Sequence, residues 1–351
     1  MARSDTQLVS SSLMTNIAPI SPGEAAALAK RLFGIDGTAQ MLKGERDENF
    51  LLRGPSGAFV LKVTNPAEDR SVTAFQTNAL LHVAAEDPEL PVPRLLRAES
   101  GEYEAEIHTG PDTRIARLMS FLPGTMAINV FPSSALRREI GRTLARLDLA
   151  LAEFDYPAVD YDLSWDLKHA TRLRHLLVHI EDASNRARAE QALDGFDAFV
   201  VPAQPALREQ VIHSDLSLFN VLVDEETPSR VLGVIDFGDL VRAPLINDLA
   251  IASSYHFSAE GEPLAPILEI VCAYNEVLPL EAKELDLLFD LIAMRMAMTI
   301  LITEWRARRY PENRSYILKN HPAATLGLAR LGEISREAAQ AQFRKVCGLE
   351  R

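Results

Sequence analysis

The feature that most constrains this chain is a series of short apolar runs with polar residues at their ends. Three runs rich in Val, Ile and Leu lie within residues 211–235, and such runs are typical of short buried strands. His213, Asp215 and Asn220 follow the first run, and Asp236 follows the last. This spacing predicts that the ends of neighbouring strands bring an imidazole, two carboxylates and an amide to a common place.

The same residues suit the transfer of a phosphoryl group. This reaction needs a carboxylate beside the attacking hydroxyl and oxygen ligands for magnesium. The pattern H-x-D-x-x-x-x-N followed by I-D-F-G supplies both. We predict Asp215 and His213 as catalytic residues, with Asp215 orienting the acceptor hydroxyl and His213 bracing the loop backbone, and we predict Asn220 and Asp236 as Mg²⁺ ligands. Each half of the pattern also occurs in ordinary turns and helix caps, so their joint occurrence is what favours catalysis.

At these positions the sequence resembles the aminoglycoside phosphotransferase-like kinases, which are distant relatives of protein kinases. Residues 213–220 and 235–239 are similar to the catalytic and metal motifs of that family. The resemblance implies an α+β, bilobal protein-kinase-like fold, with a small antiparallel-sheet N-lobe flanked by helices and a larger, mainly helical C-lobe. It also implies ATP or GTP as phosphoryl donor. With residues 45–50 and 61–62 included, the chain looks most similar to the hydroxylysine kinase branch, whose acceptor is a hydroxylated amino acid.

Lys62 is a second informative residue, because it lies in the otherwise apolar run 59–63. An ammonium group is unfavourable there unless it has a partner, although an edge-strand lysine that faces solvent is an alternative. In the resembled family, the lysine at this strand position contacts the nucleotide phosphates and the preceding hairpin covers them. Residues 44–50 correspond to that hairpin, with one Gly, and the resemblance implies that Lys62 and Asn49 bind the nucleotide.

The helix after this strand departs from the family pattern. A glutamate on this helix usually pairs with the strand lysine, whereas the corresponding position here holds Gln76. We assign Gln76 to the nucleotide site, where a neutral amide orients Lys62 by a hydrogen bond without neutralising it. The alternatives are that Glu68 or Asp69 substitutes for the missing glutamate, or that Lys62 relies on the phosphates alone.

Local patterns predict the division of the chain into a flexible lead-in at residues 1–20, a nucleotide-binding N-lobe at 21–122 and a mainly helical C-lobe at 123–351. Ser21, Pro22 and Glu24 predict the start of a helix that Gly34 ends. Apolar residues at steps of three and four from Leu136 predict the first C-lobe helix, and a further helix is expected to begin within 161–166. Strands are predicted at 39–42, 49–53, 58–64, 103–108 and 114–120.

Composition narrows the class of protein. The 351 residues carry a net charge of −13 and an isoelectric point near 5.2, which argues against a nucleic-acid partner. The apolar run 285–302 contains Asp286, Asp290 and Arg295, so we predict a buried helix and no membrane contact. Cys272 and Cys347 form no disulfide framework, which favours a reducing, cytoplasmic compartment. The expected partners are a nucleotide and a small-molecule hydroxyl acceptor, with the chain as a monomer or a homodimer.

Several alternatives stay open at this point. The acceptor is a hydroxy amino acid such as hydroxylysine or, alternatively, an aminoglycoside, whose positive charges would suit an acidic protein. A third hypothesis is a catalytically silent nucleotide-binding module. Asp248 either braces the catalytic loop, as the resemblance implies, or caps a helix. The basic and aromatic residues 305–313 form either a wall of the acceptor pocket or a solvated helix end.

Overall fold

The structure is a computed structural model that describes residues 19–42, 44, 46–157 and 163–349. The predicted lead-in lies outside the described residues, apart from Pro19 and Ile20. The chain forms two compact units. The first contains residues up to Pro123 together with Phe154–Ser164 and Gly233–Gly238, and the second contains Gly124–Glu153, Trp165–Leu232 and the residues from Asp239 onward.

The first unit is built on an antiparallel sheet. Its spatial order is β1–β2–β3–β6–β4, with β5 paired to β6. The predicted hairpin between the second and third strands is present, and Gly57 at its turn has φ +121°, which a residue with a side chain rarely adopts. The strands are β1 (Thr38–Leu42), β2 (Glu48–Gly54), β3 (Gly57–Val63), β4 (Leu95–Leu96), β5 (Ala105–Thr109) and β6 (Asp112–Ser120).

Two helices accompany this sheet, and their ends follow capping chemistry. Helix α1 (Pro22–Phe33) begins at the predicted position with a capping box, in which Ser21 and Glu24 each satisfy the other's backbone N–H, and it ends at Gly34 with φ +67°. Its buried face packs with the sheet in one hydrophobic core. Helix α2 (Arg70–Glu86) begins at Asp69, whose carboxylate accepts a hydrogen bond from the backbone N–H of Ser71. Asp69 is therefore a helix cap.

The second unit is mainly helical. Helix α3 begins close to the predicted position. The helix expected to begin within 161–166 is a 3₁₀ helix, Leu167–His179, that Asp166 caps; residues 161 and 162 lie outside the described residues. The α-helices are α3 (Ser134–Leu151), α4 (Ala183–Gly195), α5 (Ile246–Ser253), α6 (Ala265–Val277), α7 (Ala282–Arg309), α8 (Arg314–Ile317), α9 (His321–Leu331) and α10 (Arg336–Val346).

Short strands flank the catalytic motif in this part of the chain. Strand β8 pairs antiparallel with β11, and β9 lies between β7 and β10. The motif residues 213–220 therefore form the connection from one small sheet to another. The strands are β7 (Thr125–Met126), β8 (Glu209–Ile212), β9 (Val221–Val223), β10 (Val231–Val234) and β11 (Val241–Pro244).

Helix α7 is the predicted buried helix, and it forms the centre of the second unit. It has 28 residues, most of them buried, including the charged residues Glu284, Asp290 and Arg295. Asp290 is paired with Arg336 of α10 at 2.7 Å. Among the described residues, no helix combines the length and apolarity needed to cross a membrane. An antiparallel sheet in one unit and a helical second unit confirm the predicted α+β class.

Candidate active site

The catalytic loop between β8 and β9 is fixed by a buried carboxylate on α5. Ser214 has φ +65°, a left-handed conformation that is uncommon for a residue with a side chain. Asp248 is fully buried and accepts hydrogen bonds from the backbone N–H groups of His213 (2.8 Å) and Ser214 (2.9 Å). The N-cap residue of α5 is Leu245, not Asp248, and the Leu245 side chain makes no capping hydrogen bond. Asp248 thus braces the loop, which decides between the two interpretations of this residue.

Asp215 and Asn220 meet at the end of this loop. The Asn220 Nδ2 atom donates to Asp215 Oδ2 at 2.7 Å and to the Asp215 carbonyl oxygen at 2.8 Å. His213 Nδ1 accepts a weaker hydrogen bond from the Asp215 backbone N–H at 3.3 Å, so His213 contacts the loop backbone as expected. With both hydrogens of its amide directed at Asp215, Asn220 presents its Oδ1 atom away from that carboxylate. An amide oxygen in this position fits a Mg²⁺ ligand.

Two further side chains contact the other oxygen of Asp215 and a third packs against one of them, and the sequence analysis did not place them here. Arg295 of α7 is buried, and its Nη2 atom lies 3.3 Å from Asp215 Oδ1 and 3.2 Å from the Tyr255 hydroxyl. The Tyr255 hydroxyl is itself 3.5 Å from Asp215 Oδ1. The Arg295 guanidinium lies over the Trp165 ring, 5.0 Å from its centroid. A cation is therefore built into the immediate surroundings of the predicted catalytic carboxylate.

The charges in this cluster follow from its burial. Burial opposes the charge of Arg295, but the Tyr255 hydroxyl and the Asp215 carboxylate outweigh it and raise the pKa of Arg295 above its ordinary value. Burial also raises the pKa of Tyr255, so the phenol keeps its proton at neutral pH. The sequence did carry one signal for this cluster, because Arg295 is a charged residue in the middle of a long apolar helix.

In the first unit, Lys62 on β3 has an ion-pair partner that the sequence analysis did not name. Its Nζ atom lies 3.0 Å from Asp47 Oδ2 and 4.0 Å from Asp236 Oδ1. Asp47 belongs to the predicted covering hairpin and also accepts the backbone N–H of Asn65 at 3.0 Å. Burial alone would raise the pKa of Asp47, but Lys62 and the Asn65 N–H outweigh it, and the pKa lies below its ordinary value. Asp47 is therefore a counter-ion of Lys62.

The Gln76 side chain is hydrogen-bonded to a different cation from the predicted one. Its Oε1 atom accepts a hydrogen bond from Nη2 of the buried Arg117 at 3.0 Å, and its Nε2 atom donates to the Gly238 carbonyl at 3.2 Å. Arg117 on β6 is the cross-strand neighbour of Lys62. The expectation that Gln76 orients Lys62 by a hydrogen bond is thus replaced by a contact with Arg117, and its assignment to the nucleotide site stays a prediction.

Asn49 and Asp236 are the remaining predicted site residues of the first unit. Asn49 on β2 is the cross-strand partner of Lys62, so the two side chains share one face of the sheet. Asp236 follows β10 and has φ +66°, and 57% of its side-chain surface is exposed. An exposed carboxylate next to a lysine suits a residue that coordinates a metal bound to phosphate oxygens. The donor types of Asp236 and Asn220 both fit Mg²⁺.

The basic and aromatic residues 305–313 divide between core and surface. Trp305 is buried within α7, whereas Arg308 pairs with the exposed Glu181 at 2.9 Å. These contacts favour the helix-end interpretation of this stretch.

Comparisons with known proteins identify the family and the fold that this chain is similar to. A model of the phosphotransferase enzyme family matches residues 38–279. Hydroxylysine kinase of Danio rerio is 26% identical over 338 residues, which cover 92% of this chain and 95% of the relative. Homoserine kinase of Brucella anthropi is 28% identical over 295 residues, or 80% and 82% of the two chains. The microcompartment-associated aminopropanol kinase superposes with a TM-score of 0.67 at 18% identity, over 94% of this chain and 99% of its own. This last likeness confirms the predicted kinase-like fold.

Proposed function

The chain belongs to the phosphotransferase enzyme family and is a small-molecule kinase, and from this premise we propose that its acceptor is a small hydroxy amino acid. The proposed reaction moves the γ-phosphoryl group of ATP or GTP, with Mg²⁺, to the hydroxyl of hydroxylysine or a related compound. The observation that carries this proposal is the buried guanidinium of Arg295 beside Asp215.

Arg295 distinguishes the two classes of acceptor by charge. A polycationic aminoglycoside would have to bring ammonium groups close to a buried cation, and like charges repel strongly where water is excluded. An amino acid instead carries a carboxylate, and an arginine binds a carboxylate through paired N–H donors. The Arg295 Nε atom has no hydrogen-bond partner among the described residues, and because it is buried, a carboxylate would have to displace part of its cover to reach it. Hydroxylysine and homoserine, the acceptors named for two relatives, both fit this chemistry.

The proposed roles of the other residues are supported by their contacts. Asp215 orients the acceptor hydroxyl and accepts its proton, while Asn220 fixes the orientation of that carboxylate. Lys62, held in place by Asp47, steadies the phosphate oxygens together with Asn49 on the same face of the sheet. Magnesium, when bound, neutralises charge that develops on the transferred phosphate, and Asn220 and Asp236 are its proposed ligands.

An acceptor panel tests the proposal. Release of nucleoside diphosphate would be measured with ATP and with GTP, for hydroxylysine, homoserine, choline and kanamycin. We expect turnover with one or both amino acids and little with choline or kanamycin. A preference for kanamycin would favour the aminoglycoside alternative. Tight binding of the magnesium nucleotide without turnover of any acceptor would favour the silent-module hypothesis.

The role of Arg295 is tested with the carboxamide of the preferred amino acid. If Arg295 binds the carboxylate, wild-type protein loses at least tenfold in kcat/KM on the carboxamide, whereas Arg295→Met accepts both compounds equally poorly. Arg295→Lys, which keeps the charge but not the paired donors, should recover part of the discrimination. Equal kcat/KM of wild-type protein for acid and carboxamide would refute the carboxylate contact.

A further inference from the structure

A buried acid pair lies beneath the catalytic loop, and neither the motif nor the proposed function accounts for it. Asp148 on α3 and Asp248 on α5 are both fully buried, and their carboxyl groups are close enough to share a hydrogen bond. The Tyr274 hydroxyl of α6 donates to Asp148 Oδ2 at 2.6 Å. Two fully buried carboxyl groups that share a hydrogen bond cannot both be ionised, so one of them carries a proton.

The hydrogen-bond donors around the pair decide which acid carries the proton. Asp248 accepts two backbone N–H groups of the catalytic loop, which favour its ionised form. The Asp148 Oδ1 atom is buried, and no N–H or hydroxyl donor of the described residues reaches it. A proton on this oxygen provides the missing hydrogen bond, because the acid then donates to Asp248. Burial and the neighbouring Asp248 raise the pKa of Asp148 well above its ordinary value, which also favours a proton on Asp148.

We propose that Asp148 is a positioning residue that, as a neutral acid, donates its proton to Asp248 and so keeps Asp248 fixed as the acceptor for the catalytic-loop backbone. The effect reaches Asp215 through the backbone, since Asp248 holds His213 and the strained Ser214. Without this donor, Asp248 would take up a proton itself and give up one of its two backbone contacts. Any kinase acceptor reports this effect, so the inference does not depend on the amino-acid assignment.

The surrounding helices keep the pair in place. Helices α3 and α6 approach so closely at Gly141 that a side chain there would collide with the Ile270 carbonyl. The other ionisable groups facing the pair are His213 on the loop and Arg208 before β8, which favour negative charge, and Glu284 on α7, which faces Tyr274. The net balance leaves one negative charge on two buried acids.

Two substitutions at Asp148 distinguish the effect of losing its hydrogen-bond donor from the effect of changing its volume. Asp148→Asn keeps a donor that needs no ionisation, whereas Asp148→Leu removes the donor at similar volume. We expect Asp148→Leu to lower kcat roughly tenfold or more, with little change in the KM for nucleotide, and Asp148→Asn to retain most of the turnover. Equal loss in both variants, or normal kcat in a folded Asp148→Leu protein, would overturn the proposal.

Thermal unfolding gives a second test that needs no acceptor and remains informative if Asp148→Leu does not fold. The folded wild type binds a proton at Asp148 that the unfolded chain releases above pH 4 or so, so its stability falls as pH rises. The midpoint temperature of unfolding of Asp148→Asn should therefore rise relative to that of wild type as the pH increases from 5 to 8. Glu190→Gln, at an exposed position on α4, is the control and should show no such trend. A midpoint difference for Asp148→Asn that is independent of pH would refute the shared proton.

Discussion

The ion pair between Asp47 and Lys62 leads to a quantitative prediction for Asp47→Asn. The two side chains are only 12% and 16% exposed, and their charged atoms are 3.0 Å apart. At an effective dielectric constant of about 20, the attraction at this distance is about 5.5 kcal/mol, much of which offsets the cost of dehydrating both groups. The Asn side chain still accepts the Asn65 N–H but leaves Lys62 and Arg117 without this counter-charge. We therefore expect Asp47→Asn to lower the free energy of unfolding of the first unit by about 2–3 kcal/mol.

The assay must report on the first unit by itself. Both tryptophans, Trp165 and Trp305, belong to the second unit, so tryptophan fluorescence is unsuitable. Hydrogen exchange of the β2 and β3 amides at neutral pH reports local opening directly. Asp36→Asn is a matched control, because Asp36 pairs with Lys30 at 2.9 Å in the same unit but with side chains 73% and 65% exposed. We expect faster exchange in β2 and β3 for Asp47→Asn and no change for Asp36→Asn.

The pH dependence of the stability difference between wild type and Asp47→Asn tests whether the ion pair is stabilising. The pKa of Asp47 is lower in the folded protein than in the unfolded chain. Its contribution is therefore complete above the unfolded-state value of about 3.9 and is lost as pH falls through the lower folded value. The stability gap between wild type and Asp47→Asn, followed by circular dichroism during urea unfolding, should narrow in that acidic range. A gap below about 0.5 kcal/mol at pH 7, or one that persists unchanged in acid, would contradict a stabilising pair.

Two further predictions concern the catalytic loop and the hairpin. Asp215→Asn should bind magnesium nucleotide normally in a calorimetric titration yet lose roughly 10²–10⁴-fold in kcat, because an amide cannot accept the hydroxyl proton; normal turnover would exclude the assigned role. Gly57→Ala should destabilise the first unit by about 1–2 kcal/mol in denaturant unfolding, since φ +121° is strained for alanine while the space around it is open; an unchanged midpoint would show that the turn relaxes.

The parts of the fold that follow local rules were predictable from the sequence. Ser21, Glu24 and Gly34 mark the ends of α1 through capping chemistry, and alternating apolar runs separated by glycines mark the hairpin. The position of residues 213–220 between two short strands was also predictable, because apolar runs flank them, whereas the catalytic roles of these residues stay predictions. The start of a helix within 161–166 was likewise predictable, since Asp166 is its cap, but the pattern did not indicate that this helix is of the 3₁₀ type.

The partners of charged residues were not predictable, because they depend on contacts between distant parts of the chain. Asp69 was a candidate partner of Lys62 by sequence proximity, yet its carboxylate caps α2. Asp47 reaches Lys62 because β2 and β3 form a hairpin, and the register of that hairpin decides the pairing. Arg295 lies 80 residues from Asp215 along the chain, and only the packing of α7 brings them together.

Even so, each of these residues carries a visible local signal, since each departs from the rule for its own element. Lys62 is a cation in an apolar strand, Arg295 is a cation in an apolar helix, and Asp148 is an acid on the buried face of α3. A charge in such a place costs free energy unless a partner or a proton compensates it. The three compensations differ: an ion pair for Lys62, an aromatic face with a carboxylate for Arg295, and a shared proton for Asp148. A charge at a buried position therefore indicates from sequence that a compensating group exists, and only the structure identifies that group.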